Sequence, residues 1–265
     1  MLRLHQFCLG TLICYYYLHH ARVIREERPW GFTLYGGFGR SKEKHFVTNS
    51  SPLLFPTSGT IYSPWPFQGA SKRHEGMYHL PTVMDRSQYP SAKKRYARLN
   101  YPLRFLDLHG IEVQVATQND LQLMEDLHRR WTDRKLADPK THKLSFTSAR
   151  YWRCVEVGLM DPGCYTVLVG RKLADGSLAA VRVVYREGDT AYDLAFFGWW
   201  EPSHISEYLN FAMMCYLYGQ GVEYFNTGDP LNARLAHYKQ HYPSTELTYY
   251  TKTIKTEGIT TPSLL

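Results

Sequence analysis

Val222-Glu223-Tyr224-Phe225-Asn226-Thr227-Gly228-Asp229, with Pro230, Leu235, Lys239 and Tyr242-Pro243 behind it, is the stretch on which the fold of this 265-residue chain turns. Valine, tyrosine and phenylalanine in succession read as a buried strand that stops at Asn226. Gly228-Asp229 supplies a turn, and an amphipathic helix follows near 231–241. This order gathers Asn226, Asp229 and Lys239 at one mouth of a sheet. The carboxyl ends of strands are where α/β sheets meet their ligands.

Upstream the pattern is regular. Tyr165–Gly170, Leu178–Arg186 and Thr190–Trp200 are three apolar runs joined by Ala174-Asp175-Gly176-Ser177 and Gly188-Asp189, so they predict an antiparallel meander. A loop at 201–204 leads into an apolar helix from Ile205 to Gly219, which carries Phe211, Met213, Met214 and Leu217. Before the meander, Ser91 to Leu108 predicts a helix interrupted at Pro102, and Ile111–Val115 alternates as a strand. Thr117 with Asp120 three residues on is a capping-box pattern for a helix through Leu121, Met124, Leu127 and Trp131. Thr147 is placed to cap another, through Trp152 and Val155. Leu247–Thr253 predicts the last strand.

The first ninety residues read differently. Pro29, Gly36-Gly37, Gly39, Pro52, Pro56, Gly59, Pro64, Pro66 and Gly69 break the region into short β segments at Gly31–Tyr35, His45–Thr48 and Thr60–Tyr62. Residues 1–100 hold 14 Lys and Arg against 5 Asp and Glu, whereas 101–265 hold 17 against 19. A basic first part suits an anionic partner such as nucleic acid, a phospholipid surface or a nucleotide-linked substrate. It equally suits a solvated basic face. Phe7 to Leu18 is about a dozen apolar residues, short of the roughly 20 that span a bilayer, so a core element of a first lobe is expected there. Five cysteines without a C-x-x-C pair indicate neither a disulfide framework nor a zinc site, and the simplest location is cytoplasmic, with peripheral membrane attachment as the alternative. His237 and His241 are spaced one helical turn apart but lack the Glu of a zinc-protease motif, and no metal is expected.

The order of strand, two helices, three-strand meander, helix, strand, helix, strand resembles the second lobe of a GNAT-superfamily acyltransferase. Gly221, Phe225, Asn226 and Asp229, followed by Leu235, Lys239 and Tyr242-Pro243, are similar to the C-terminal signature of the phosphatidylglycerol lysyltransferase catalytic domain. Lys93-Lys94-Arg95, Arg98 and Asn100 are similar to the basic helix linking two lobes in that family and in the Fem-type aminoacyl-tRNA-dependent transferases. The likeness covers about residues 88–253. It implies an α/β (α+β) fold with a mixed, largely antiparallel sheet flanked by helices, in two lobes: a divergent lobe at 1–90, a basic linking helix at 91–110 and an acyltransferase lobe at 111–265. Two departures stand out. Trp199–Ser206 replaces the Gly-rich CoA loop of GNAT enzymes, and Arg234 stands where the family has a small residue.

The resemblance implies an N-acyltransferase that moves an aminoacyl or acyl group to an amine or hydroxyl. The co-substrate is aminoacyl-tRNA or acyl-CoA, with no tightly bound cofactor, and the basic part suits tRNA or another anionic partner. An acetyl-CoA-dependent N-acetyltransferase and a non-catalytic module that binds nucleic acid or an anionic membrane are the alternatives. For acyl transfer, Asp229 can orient the acceptor and accept its proton, and Lys239 can neutralise a phosphate or steady an oxyanion. Asp229 before Pro230 also suits a helix cap, and Lys239 suits a solvated surface. Ser203 and Ser206 at the start of the long helix suit a donor phosphate or a plain N-cap. Asn226, Tyr192 and Asp193 are candidates for the acceptor groove, with turn formation, sheet packing and solvent exposure as their ordinary roles. Arg95, Arg98 and Arg104 are candidates for phosphate or RNA backbone.

Overall fold

A computed structural model describes residues 24–28, 31–36, 43–48, 59–63, 65–138, 145–199, 205–228, 242 and 245–254. Asp229, Lys239, Ser203, the helix expected near 231–241 and the apolar run at 7–18 lie outside the described residues. The chain forms two compact units, one of residues 1–74 with 247–265 and the other of residues 75–246.

In the first unit, β1 (Ile24–Arg28), β2 (Gly31–Gly36) and β3 (Glu43–Thr48) form an antiparallel meander. The next strand, β4 (Gly59–Ser63), runs parallel to β3, and the C-terminal β11 (Thr245–Ile254) pairs with β4 antiparallel, Tyr250 opposite Ser63. The Thr60 and Thr253 hydroxyls meet at 3.0 Å, and the Tyr62 and Tyr249 rings at 6.3 Å. The boundaries drawn from the sequence at 90 and 110 thus fall inside the second unit. Most of the last strand belongs to the first unit, because its antiparallel partner is β4.

The second unit contains a six-stranded sheet in the order β5-β10-β9-β8-β7-β6. Its strands are β5 (Ser71–His79), β6 (Ile111–Val115), β7 (Tyr165–Lys172), β8 (Leu178–Glu187), β9 (Thr190–Gly198) and β10 (Tyr224–Gly228). All neighbours are antiparallel except β9 and β10. The meander β7–β8–β9 falls where the turn residues predict it. Asp175 closes the first hairpin by accepting from the Ser177 amide at 2.9 Å and hydroxyl at 2.6 Å. Gly188 turns the second at φ +59°, a conformation that L side chains rarely adopt. A similar pairing plan recurs in both units: an antiparallel run (β1–β3 in the first, β6–β9 in the second), then a parallel neighbour (β4, β10) and an antiparallel one (β11, β5).

Helices cover both faces of this sheet. On one side lie α4 (Leu121–Ala137) and α5 (Ser145–Met160), which bring Trp131 to 5.9 Å from the Phe197 ring. The Thr117–Asp120 capping box forms, with the Thr117 amide donating to Asp120 at 2.8 Å, and a 3-10 turn at 118–120 leads into α4. Thr147 lies inside α5, which starts two residues earlier at Ser145. The helix needs a small residue at 158, since a Cβ there would come within 2.7 Å of Val167.

On the other face lie α1 (Leu80–Met84), α2 (Ala92–Arg95), α3 (Tyr101–Leu108) and α6 (Ile205–Gly219). Leu80, Val83, Phe211, Met214, Leu217 and Phe225 form the largest part of the core on this side. A π-helical segment, Tyr96–Asn100, joins α2 to α3. The interruption expected at Pro102 therefore appears one turn earlier. Proline offers no N–H to the preceding turn, and the ladder widens to accommodate it. The strand read as ending at Asn226 continues to Gly228, because β10 stays paired with β5 through a register shift between Asn226 and Gly228.

Candidate active site

The site begins where a ladder stops. β9 and β10 run parallel through Tyr224 opposite Thr190, Phe225 opposite Ala191 and Asn226 opposite Tyr192, and the pairing ends there. β9 continues to Gly198 against β8, and β10 stays with β5 as far as Gly228. From Tyr192 to Gly198 is a length of roughly 20 Å at about 3.3 Å per residue, over which β9 has no ladder with β10. Each strand carries a register shift at this place, β10 against β5 after Asn226 and β8 against β9 between Val183 and Val184. Bulges beside a strand divergence bend the strands and re-aim their side chains.

Into this divergence β8 sends a cation. Arg182 interrupts the run Leu178–Val184, every member of which is buried, as expected for a strand covered on both faces. Its side chain is 4% exposed. The guanidinium carbon lies 4.5 Å from the Phe196 ring of β9 and 5.3 Å from the Phe225 ring of β10, so it rests across the two strands where they part. Arg182 Nε is 3.6 Å from Asp193 Oδ1, an ion pair longer than a hydrogen bond. Among the described residues, the buried Nε and Nη1 of Arg182 have no hydrogen-bond acceptor. A buried donor left unsatisfied costs about 1–3 kcal/mol, more when it is charged.

The predicted residues that the structure describes fall into two groups. Asn226, Tyr192 and Asp193 lie at the end of the β9–β10 ladder. Asn226 is buried inside β10 opposite Tyr192, and is not part of a turn. Tyr192 is 1% exposed, with its ring 6.1 Å from that of Tyr185. Asp193 does not point to solvent; it faces Arg182. The others lie on the α2–α3 segment or at α6. Arg98 donates to Glu207 at 3.1 Å and fastens the π segment to the first turn of α6. Arg95 is exposed, and exposed Arg104 donates to the Tyr96 hydroxyl at 3.3 Å. Ser206 lies in the first turn of α6.

Arg182 is not among the residues to which the sequence pattern points. The available signal was a lone arginine inside Leu-Ala-Ala-Val-Arg-Val-Val-Tyr, since arginine is almost never fully buried unless paired. A second group follows the end of β9, where Arg130 and Arg134 of α4 lie 5.6 and 5.5 Å from the Trp199 ring. These cations belong to the part of the chain that is acidic by count. Cys215 lines a cavity of about 340 Å³ with Met84, Leu99 and Phe211, and burial pushes its thiol up to about 11. It is therefore a protonated thiol near neutral pH, not a nucleophile.

No protein-family model matches the chain, and no curated protein sequence matches it. Solved structures do. A conserved protein of unknown function from Bacteroides thetaiotaomicron superposes with a TM-score of 0.64 at 13% identity, over 96% of this chain and 92% of that one. L-PGS from Bacillus licheniformis gives a TM-score of 0.57 at 15% identity, over 97% and 89%. The C-terminal domain (DUF2156) of an Agrobacterium fabrum protein, described as a lysylphosphatidylglycerol synthetase, gives 0.55 at 17% identity, over 90% and 85%. The chain shares the fold of these structures. The mixed, mostly antiparallel sheet flanked by helices is the architecture that the resemblance implied. At these identities the likeness is one of fold. Among the described residues, no helix is long and apolar enough to cross a membrane.

Proposed function

We propose that this protein is an acyltransferase that moves an aminoacyl or acyl group from an activated donor to an amine or hydroxyl acceptor. The observation that carries the reading is the end of the β9–β10 ladder at Asn226 and Tyr192, two residues before β10 ends at Gly228. In this reading an extended donor lies along the part of β9 that β10 does not pair, with its reacting carbonyl near the end of the ladder. Asn226 ends the ladder, and three residues later in the chain Asp229 takes the acceptor's proton. Lys239 then balances negative charge on donor or intermediate. The start of α6, with Ser203 and Ser206, receives a donor phosphate.

Aminoacyl-tRNA is the preferred donor class, and acyl-CoA is second. Trp199–Ser206 in place of a Gly-rich CoA loop supports that order, as does the shared architecture with a protein described as a lysylphosphatidylglycerol synthetase. The tRNA or other anionic partner lies along α2–α3, where Lys93, Lys94, Arg95 and Arg104 are exposed beside Tyr96 and Tyr101. The same exposed helix favours a second reading, a non-catalytic binding module.

Radiolabelled aminoacyl-tRNA and acyl-CoA pools, offered with amine and hydroxyl acceptors, test the proposal. Transfer by the wild type, reduced about 100-fold or more in Asp229→Asn with the fold intact, is the expected result. Salt-sensitive RNA binding that persists without any transfer, unchanged in Asp229→Asn, would support the binding module instead.

A further inference from the structure

We infer that Arg182 is the oxyanion-holding residue of this site: its buried, uncommitted N–H groups receive the oxygen of the donor's reacting carbonyl. The inference rests on the acyl-transfer reading and adds to it a residue from a strand that the chain's motifs do not touch. Three features of the guanidinium support it. It is fixed between Phe196 and Phe225, one ring from each of the diverging strands, so it is already positioned before a ligand arrives. Its side chain is 4% exposed, which keeps water from competing for the donors. Nε and Nη1 have no acceptor among the described residues, so a ligand oxygen that reaches them completes hydrogen bonds that these residues leave open.

Asp193 sets the charge. With its carboxylate 3.6 Å from Nε, the pair is close to neutral overall. A neutral pair with free N–H donors holds a carbonyl oxygen weakly and an oxyanion strongly. That difference lowers the barrier, since only contacts that strengthen in the transition state accelerate the reaction.

The acceptor ammonium gives one proton to the base and attacks the ester or thioester carbon as a free amine, forming the C–N bond. The carbonyl π pair moves onto oxygen and is held by Arg182. The attacking nitrogen loses a second proton, the oxygen pair re-forms the carbonyl, and the bond to the leaving oxygen or sulfur breaks. The leaving group takes one of the released protons. The products are an amide, a free alcohol or thiol, and one proton.

Two measurements on the full chain test the assignment. In the first, kcat and donor KM are compared for the wild type, Arg182→Gln and Arg182→Met. The expectation is a loss of about 100- to 1000-fold in kcat with little change in KM, the size found when an oxyanion donor is removed. In the second, side-chain ¹⁵N spectra of the wild type and of Arg182→Lys are recorded during titration with methylphosphonate, which mimics the tetrahedral oxygens. Saturable movement of the Arg182 N–H signals supports the assignment without requiring turnover. Transfer with undiminished kcat in both substitutions overturns the role of Arg182 alone. Movement of the signals without transfer keeps the oxygen site and overturns the acyl-transfer reading. Neither transfer nor movement overturns both.

Discussion

Removing the charge of Asp193 should destabilise the second unit more than removing its partner does, and removing both should cost less than removing Asp193 alone. The two members of the pair differ in access to water: the Arg182 side chain is 4% exposed and that of Asp193 is 19%. In Asp193→Asn the guanidinium stays buried between Phe196 and Phe225 with no counter-charge. Breaking a buried pair in this way costs about 3–5 kcal/mol, and partial hydration near Asp193 places the effect at the lower end, about 3 kcal/mol. In Arg182→Met the thioether fills the space between the rings, and the carboxylate, whose side chain is 19% exposed, keeps its other contacts, so about 1–2 kcal/mol is expected. Adding Arg182→Met to Asp193→Asn removes the stranded cation, and the double variant should recover at least about 1 kcal/mol relative to Asp193→Asn. Urea unfolding at constant m-value measures all three. If Arg182→Met made Asp193→Asn still less stable, the guanidinium could not be an uncompensated buried charge, and the reasoning would be refuted.

Two further outcomes follow from packing and titration. Gly158→Ala improves helix propensity by about 1 kcal/mol, but its Cβ would meet Val167 Cγ2 at 2.7 Å and Val183 Cγ1 at 3.2 Å, so overpacking of about 1–3 kcal/mol should give a net loss in the unfolding midpoint. Burial holds the His128 imidazole below its ordinary value of 6.5, against the opposing effects of the Ser148 carbonyl and Glu125; the Trp152 and Phe197 rings lie within 5.4 Å. The unfolded chain therefore binds the proton more readily. Stability from this group is complete above about pH 6.5 and is lost as the pH falls toward the folded-state value. His128→Gln should flatten the pH dependence of the urea midpoint between pH 7.5 and 5, and an unchanged slope would count against the assignment.

What the sequence disclosed follows the range of the forces involved. The β7–β8–β9 meander rests on turns at Asp175–Ser177 and Gly188, and the α4 start on Thr117 and Asp120, so each was readable from a few adjacent residues. Strand β5 was not. Ser-Lys-Arg-His-Glu-Gly-Met-Tyr-His is polar through its first part, and its place beside β10 depends on pairs such as Met77 with Asn226, far apart in the chain. The same distance hid the membership of β11, whose partner β4 lies almost 190 residues earlier. Within the site, Asn226 was found because it ends an apolar strand. Arg182 was passed over because its neighbours read as ordinary strand, and its meaning comes from Phe196, Phe225 and Asp193.

The distribution of strands between the units bears on how the chain is made. The fifth strand of the first unit is β11, near the end of the chain, while β5, from the early part, lines the second unit's sheet from Glu75 onward. Each unit therefore draws its strands from stretches far apart in the sequence. During synthesis β4 must wait for residues 245–254, and β5 for residues 224–228, so both sheets are finished late and together. Such long sequence separations slow folding. A nascent chain halted near residue 220 would leave β4 without β11, and both β5 and β9 without β10, and it is at that stage that this protein would most need protection from aggregation.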